Sequence, residues 1–211
     1  SAARFARLAG LAGTDVDAGV KAMLSDMVNS MGLKLRSAVP ERSTRFDLRY
    51  LNVRGAVTGQ AVVGALERIG RGRVLLSGAP GTGKTQLAAE VAQRLGRELV
   101  YKTASDLNSM WFGQSERNVA LMFQECDPKS EVLLLDEADT LLGSREDSGH
   151  RAEVAVTAEF LRQIESFQGV FLCATNYGAG LAAALTRRFE YRLELQPLSI
   201  AQRLDLFCET A

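Results

Sequence analysis

The run GAPGTGKT fills the pattern G-x-x-x-x-G-K-[ST], with Gly78, Gly83, Lys84 and Thr85 at the fixed positions. Glycines at this spacing let successive backbone N–H groups turn inward around phosphate oxygens, and a helix opening behind them adds its positive end. Pro80, Gly81 and Thr82 complete that loop. Lys84 has the reach and charge for the β and γ phosphates of a nucleotide, and Thr85 offers a short hydroxyl suited to Mg²⁺. Some fifty residues later the run VLLLDEADTLLG delivers Asp136 and Glu137 behind four apolar residues. Asp136 is suited to hold Mg²⁺ through water, and Glu137 to take a proton from an attacking water. Asp139 either touches the nucleotide or holds neighbouring loops. A glycine-rich turn that binds nothing and two acids that merely close a strand are the plain alternatives. The strand-loop-helix setting of the first motif and its order before the second favour the chemistry.

These groups must be held by elements, and the hydrophobic pattern supplies them. Short apolar runs recur at Val74–Leu76, Glu98–Tyr101, Val132–Leu135, Val170–Ala174 and Tyr191–Leu195. Helical segments are predicted between them at Gly59–Ile69, Lys84–Leu95, Ser115–Glu125 and Ala152–Ser166. Such alternation predicts an α/β fold with a five-stranded, mostly parallel sheet between helices, with ligands beyond the carboxyl ends of the strands. Ahead of it, residues 1–45 read as a helical segment and a linker. Val16, Val20, Met23, Leu24, Met27, Val28 and Met31 fall at helical spacing as a packing face, and Pro40 sits among charges where the period is lost.

The totals narrow the function. A 46% hydrophobic content over 211 residues can supply a sizeable core. Lys and Arg number 25 against 25 Asp and Glu, so no excess charge draws the chain to a nucleic-acid backbone. Three well-separated cysteines, Cys126, Cys173 and Cys208, suit a reducing compartment and a cytoplasmic setting. The single histidine, His150, completes no zinc set and no triad. No apolar run approaches the ~18 to 20 residues of a membrane span. The opening SAARFARLAG is Arg-bearing and acid-poor like a transit peptide, but Asp15 and Asp17 follow closely and an amphipathic helix start is the better reading.

The word D-E-A-D is shared by helicases that work on RNA and by ATPases that pull on proteins. The helicase needs a second ATPase-like domain and a Ser-Ala-Thr segment after the acidic strand. Here the following strand reads VFLCATNYG, and only 16 residues remain after Leu195. From about Phe46 to Phe207 the chain instead resembles the AAA+ superfamily, and within it the AAA group in the narrow sense that includes katanin and spastin. GAPGTGKT is similar to that family's phosphate loop, LLLDEAD to its acidic strand, and ATN to its sensor strand. The resemblance implies a P-loop NTPase fold, ATP and Mg²⁺ as ligands, and Asn176 as the residue that orients the attacking water. It implies that Trp111 and Phe112, in the step WFG, grip a polypeptide substrate in a central pore. It also implies that Arg187 and Arg188 reach a neighbouring subunit's nucleotide, Arg188 being the better fit, in a homo-oligomeric ring, usually a hexamer. Adenine contacts fall to the entering chain near Leu51–Val53. The core is then expected over 46–196.

The fit is imperfect in places. The two arginines are adjacent where many relatives separate them, Ala182 stands where an acid is usual, and Ala158 where Asn is frequent. These changes touch coupling between subunits more than nucleotide binding. SIAQRLDLFCETA looks like the first helix of a C-terminal lid, at 197–211, so the sequence reads as a fragment expected to be largely monomeric, to bind nucleotide weakly and to turn over slowly. A nucleotide switch that threads nothing remains an alternative to a remodelling motor, as does, more remotely, an ATPase acting on nucleic acid.

Overall fold

A computed structural model describes residues 46–108, 113–142, 151–176 and 183–210. The N-terminal segment 1–45, Trp111 and Phe112, which are expected to grip a substrate, and Ala182 lie outside the described residues.

Six strands form one sheet: β1 (Asn52–Arg54), β2 (Gly72–Ser77), β3 (Glu98–Thr103), β4 (Glu131–Asp136), β5 (Val170–Thr175) and β6 (Tyr191–Gln196), in the order β1-β6-β2-β5-β4-β3. The sequence indicates the last five of these. All the pairings among them are parallel, and β1 joins antiparallel on the outside of β6, Val53 facing Leu195. Three residues paired on one side cannot show a period-two alternation, which is why β1 escapes a pattern search.

Parallel neighbours need crossovers, and helices provide them. These are α1 (Gly59–Ile69), α2 (Lys84–Arg94), the short α3 (Ala104–Leu107), α4 (Gln114–Glu125), the short α5 (Asp139–Leu142), α6 (Arg151–Ser166), the short α7 (Ala183–Thr186) and α8 (Ile200–Thr210). Local chemistry sets their limits. Thr58 caps α1 by accepting the Ala61 N–H at 3.2 Å, and Gly70, left-handed at φ 71°, ends it with its N–H on the Leu66 carbonyl.

Alternation along the strands sends residues to two cores. Val74, Leu76, Val132, Leu134, Val170 and Leu172 meet Val62 and Leu66 of α1 and Leu87 and Val91 of α2 on one face. Leu75, Leu133, Leu135, Phe171 and Cys173 meet α4 and α6 on the other. Edge-to-face rings tie this second core together, with Phe160 5.8 Å from both Phe123 and Phe171. Both faces of the central strands are therefore dry, and their ends are the places left for chemistry. On α8, Ile200, Leu204 and Phe207 remain exposed along one stripe.

Candidate nucleotide site

The carboxyl ends of β2, β5 and β4 lie side by side, and each delivers part of the site. After β2 the chain turns at Gly78, whose φ of 150° suits glycine and where an added Cβ would collide with the Leu195 backbone carbonyl. Its N–H donates to the Thr175 carbonyl at 3.2 Å, pinning the loop to β5. Gly83, left-handed at φ 93°, turns the loop into α2. The entering chain lies against it, since a Cβ there would stand 3.5 Å from both Leu51 and Phe46. That is the segment to which the sequence assigns adenine.

Lys84 is 6% exposed. Its Nζ donates to the carbonyls of Gly78 at 2.7 Å and Ala79 at 3.0 Å and to Asn176 Oδ1 at 2.9 Å. Burial pushes its pKa below the ordinary lysine value, while the carboxylates of Asp136 and Asp139 pull the other way. One residue on, Thr85 Oγ1 donates to Asp136 Oδ2 at 2.9 Å. The other carboxylate oxygen, Oδ1, accepts the Glu137 N–H at 2.9 Å. Glu137 adopts φ 54°, a left-handed conformation that costs a non-glycine residue ~1 kcal/mol or more. It is held there because Ala138 N–H donates to the Ala174 carbonyl at 2.9 Å and Thr140 N–H to the Glu137 carbonyl at 3.1 Å. The Glu137 side chain stands exposed at the mouth.

Lys84, Thr85, Asp136, Glu137 and Asn176 thus converge from three strand ends. Asp139 takes no part in the phosphate loop: its Oδ1 accepts the Thr175 hydroxyl at 3.0 Å and the Asn176 N–H at 3.1 Å. Of its two sequence readings, the geometry is that of a residue holding neighbouring segments. A cavity of about 670 Å³ is lined in part by Gly78, Ala79, Asn176 and Arg192. Sequence reasoning missed Tyr101. It pairs with Leu134 on β4, so Asp136, two residues further, lies on its side of the sheet. Burial, helped by the carboxylates of Asp136, Glu137 and Asp106, pushes its phenol up to about 12. The signal available was its place two residues before the end of an alternating strand.

Arg187 and Arg188 are not at this site. They precede β6, and β6 runs parallel to β2 with Tyr191 opposite Val74, whereas the phosphate loop follows the far end of β2. A six-residue strand separates the two edges by ~20 Å. Arg188 pairs with Glu165 of α6, and Arg187 is exposed. Beside them Arg73 grips Glu190 through Nε at 3.0 Å and Nη2 at 2.5 Å, and donates from Nη1 to the Ile164 carbonyl at 3.2 Å.

The donor set fits Mg²⁺. Thr85 and Asp136 present hard oxygens within hydrogen-bonding distance of each other, and among the described residues no cluster of three or more Asp, Glu, His or Cys could cage a metal alone. One carboxylate and one hydroxyl suit an ion that keeps several waters and takes its remaining ligands from a phosphate.

The family model described as "ATPase family associated with various cellular activities (AAA)" matches residues 74–197, more than half of the chain. The chain is 39% identical over 129 residues to the meiotic spindle formation protein mei-1 of Caenorhabditis elegans, covering 57% of this chain and 27% of that protein. It is 35% identical over 141 residues to human vacuolar protein sorting-associated protein 4A, 64% of this chain and 32% of that one. To cell division protein C of Sulfolobus acidocaldarius it is 33% identical over 146 residues, 63% and 39% respectively. The chain therefore spans about a third of the length of the curated relatives it matches. With a family match that runs from the first parallel strand of the site to the loop after its last, this chain belongs to the AAA family of ATPases.

Proposed function

We propose that the chain binds and hydrolyses ATP and uses the cycle to remodel or disassemble protein substrates. The observation that carries the reading is the Thr85–Asp136 hydrogen bond at 2.9 Å, made by residues 51 apart in sequence that belong to the two motifs expected to share one metal. Backbone N–H groups from Gly81 to Thr85 cradle the phosphates, and Lys84 adds a charge already stripped of most water. Thr85 and Asp136 would hold Mg²⁺, which when bound neutralises charge on the β and γ phosphates. Glu137, exposed at the mouth, accepts a proton from the attacking water. Asn176 orients that water from the end of β5. Leu51–Val53 contact the adenine.

Arg188 acts on a neighbour's nucleotide. What supports this is distance: an arginine at the amino edge of the sheet cannot serve a phosphate loop at the carboxyl edge of the same chain. A site completed by another copy implies a ring, for which we take six subunits, with Trp111 and Phe112 gripping polypeptide. We assign 46–196 to the ATPase core, 1–45 to a helical segment and linker, and 197–211 to the first helix of a lid. Buried free thiols at Cys126 and Cys173 suit a reducing setting, which we take to be the cytoplasm. Among the described residues no helix is long and apolar enough to cross a membrane.

The test is ATP turnover by the protein at its full natural length against protein concentration, for wild type and Arg188→Ala. Turnover per subunit rises steeply with concentration and collapses in the variant, and mixing the variant with Glu137→Gln subunits, which keep their own Arg188, restores part of it. Turnover flat in concentration and indifferent to Arg188 sinks the ring.

A further inference from the structure

Asp139 opens α5, two residues beyond Glu137, and no step proposed above uses it. Its Oδ1 takes both of its hydrogen bonds from the end of β5, from the Thr175 hydroxyl at 3.0 Å and the Asn176 N–H at 3.1 Å. Thr175 is completely buried and Asp139 half-buried. The bond from the Ala138 N–H to the Ala174 carbonyl at 2.9 Å joins the same two segments. Asn176 is in turn tied by its side chain, whose Oδ1 accepts from Lys84 Nζ at 2.9 Å. An unbroken path of hydrogen bonds thus leads from Asp139 through the last residues of β5 to the lysine of the phosphate loop. The Asp139 carboxylate is also near enough to Lys84 to oppose the effect of burial on its charge.

We infer that Asp139 is a positioning residue for recognition of the terminal phosphate: it fixes the backbone of Asn176 so that the side-chain amide stands between Lys84 and the γ phosphate. The inference rests on the ATP reading above and adds to it a residue that touches neither nucleotide nor metal. A single carboxylate oxygen suits the task. It binds two donors on adjacent residues of one strand, which stops the strand end from rotating, and a charged acceptor makes both bonds stronger than a neutral one does.

Titration calorimetry tests this with the chain, Mg²⁺, and either a slowly hydrolysed ATP analogue or ADP. The ratio of the two affinities reads contact with the last phosphate, and a loss of general stability does not move it. Asp139→Ala and Asn176→Ala each shift the ratio toward ADP by about tenfold. The double variant shifts it no further than either single one, as residues acting through one another do. Equal losses for both nucleotides in Asp139→Ala, or factors that multiply in the double variant, overturn the inference. Should Asp139→Ala not melt cooperatively, Thr175→Val decides: it keeps the shape of a buried side chain and removes one donor, so a ratio moved toward ADP supports the assignment and an unmoved ratio refutes it. Wild-type chain that binds neither nucleotide overturns the ATP reading itself and this inference with it, an outcome that no change of ratio among binding variants can imitate.

Discussion

The two edges of the sheet hold their charges differently. At the carboxyl edge Lys84, Asp136 and Asp139 are fixed by backbone groups and short hydroxyls, at 2.7 to 3.1 Å, and Lys84 has given up most of its water. At the amino edge Arg73, Arg188, Glu165 and Glu190 are held chiefly by one another, with Arg188 and Glu165 about half exposed. A desolvated, backbone-pinned charge is ready for a ligand and costs no reorganisation when it arrives. An exposed ion pair contributes little to stability and separates easily. The first edge keeps its geometry, and the second holds its arginine only loosely.

The sharpest test of the contrast lies at the carboxyl edge. Glu137→Gln, which keeps the size of the side chain and removes the base, lowers turnover about 10²- to 10⁴-fold while nucleotide stays bound; single-turnover kinetics beside a binding titration separate the two effects. Gly78→Ala follows. The added methyl meets the Leu195 carbonyl rather than a movable side chain, and a denaturant melt shows a loss of about 2–3 kcal/mol.

Tyr101 gives a smaller, pH-dependent effect. Its phenol is raised from 10.0 to about 12 in the folded chain, so the native state keeps the proton over a range where the unfolded chain has lost it. The resulting stability is whole below pH 10 and disappears as the pH climbs toward 12. Tyr101→Phe removes this part of the alkaline decline, and absorbance of the phenolate reports the titration directly. Smallest is Glu165→Gln at the amino edge, which frees Arg188 at a cost within about 1 kcal/mol. A loss as large as that of Gly78→Ala would erase the distinction between the edges.

Much of this was legible beforehand because periodic segments announce themselves. The five parallel strands and four of the five long helices stand within a residue or two of their hydrophobic patterns, since the central strands are buried on both faces and read as continuous apolar runs. The phosphate loop and the acids were legible for another reason: local spacing alone sets their geometry. The short helices Ala104–Leu107, Asp139–Leu142 and Ala183–Thr186 were not, because four residues complete barely one turn and show no period. Nor were the ion pairs of the amino edge. Arg73 and Glu190 are 117 residues apart, and only the parallel register of β2 and β6 brings them together. Asp139 was visible as a residue but not as a bond, since its partners lie on a strand more than thirty positions away.

The meeting of Gly78 with the Leu195 carbonyl sets how stiffly the molecule transmits force. Where two side chains touch, a displacement of one is absorbed by a change of rotamer in the other. Here main chain rests on main chain, with no torsion between them to yield. The end of β6 leads through Pro197, Leu198 and Ser199 into α8, so a displacement of that helix that shifts the end of β6 bears on the head of the phosphate loop. The contact joins two parts of the fold at close range, and any side chain added at position 78 would force them apart.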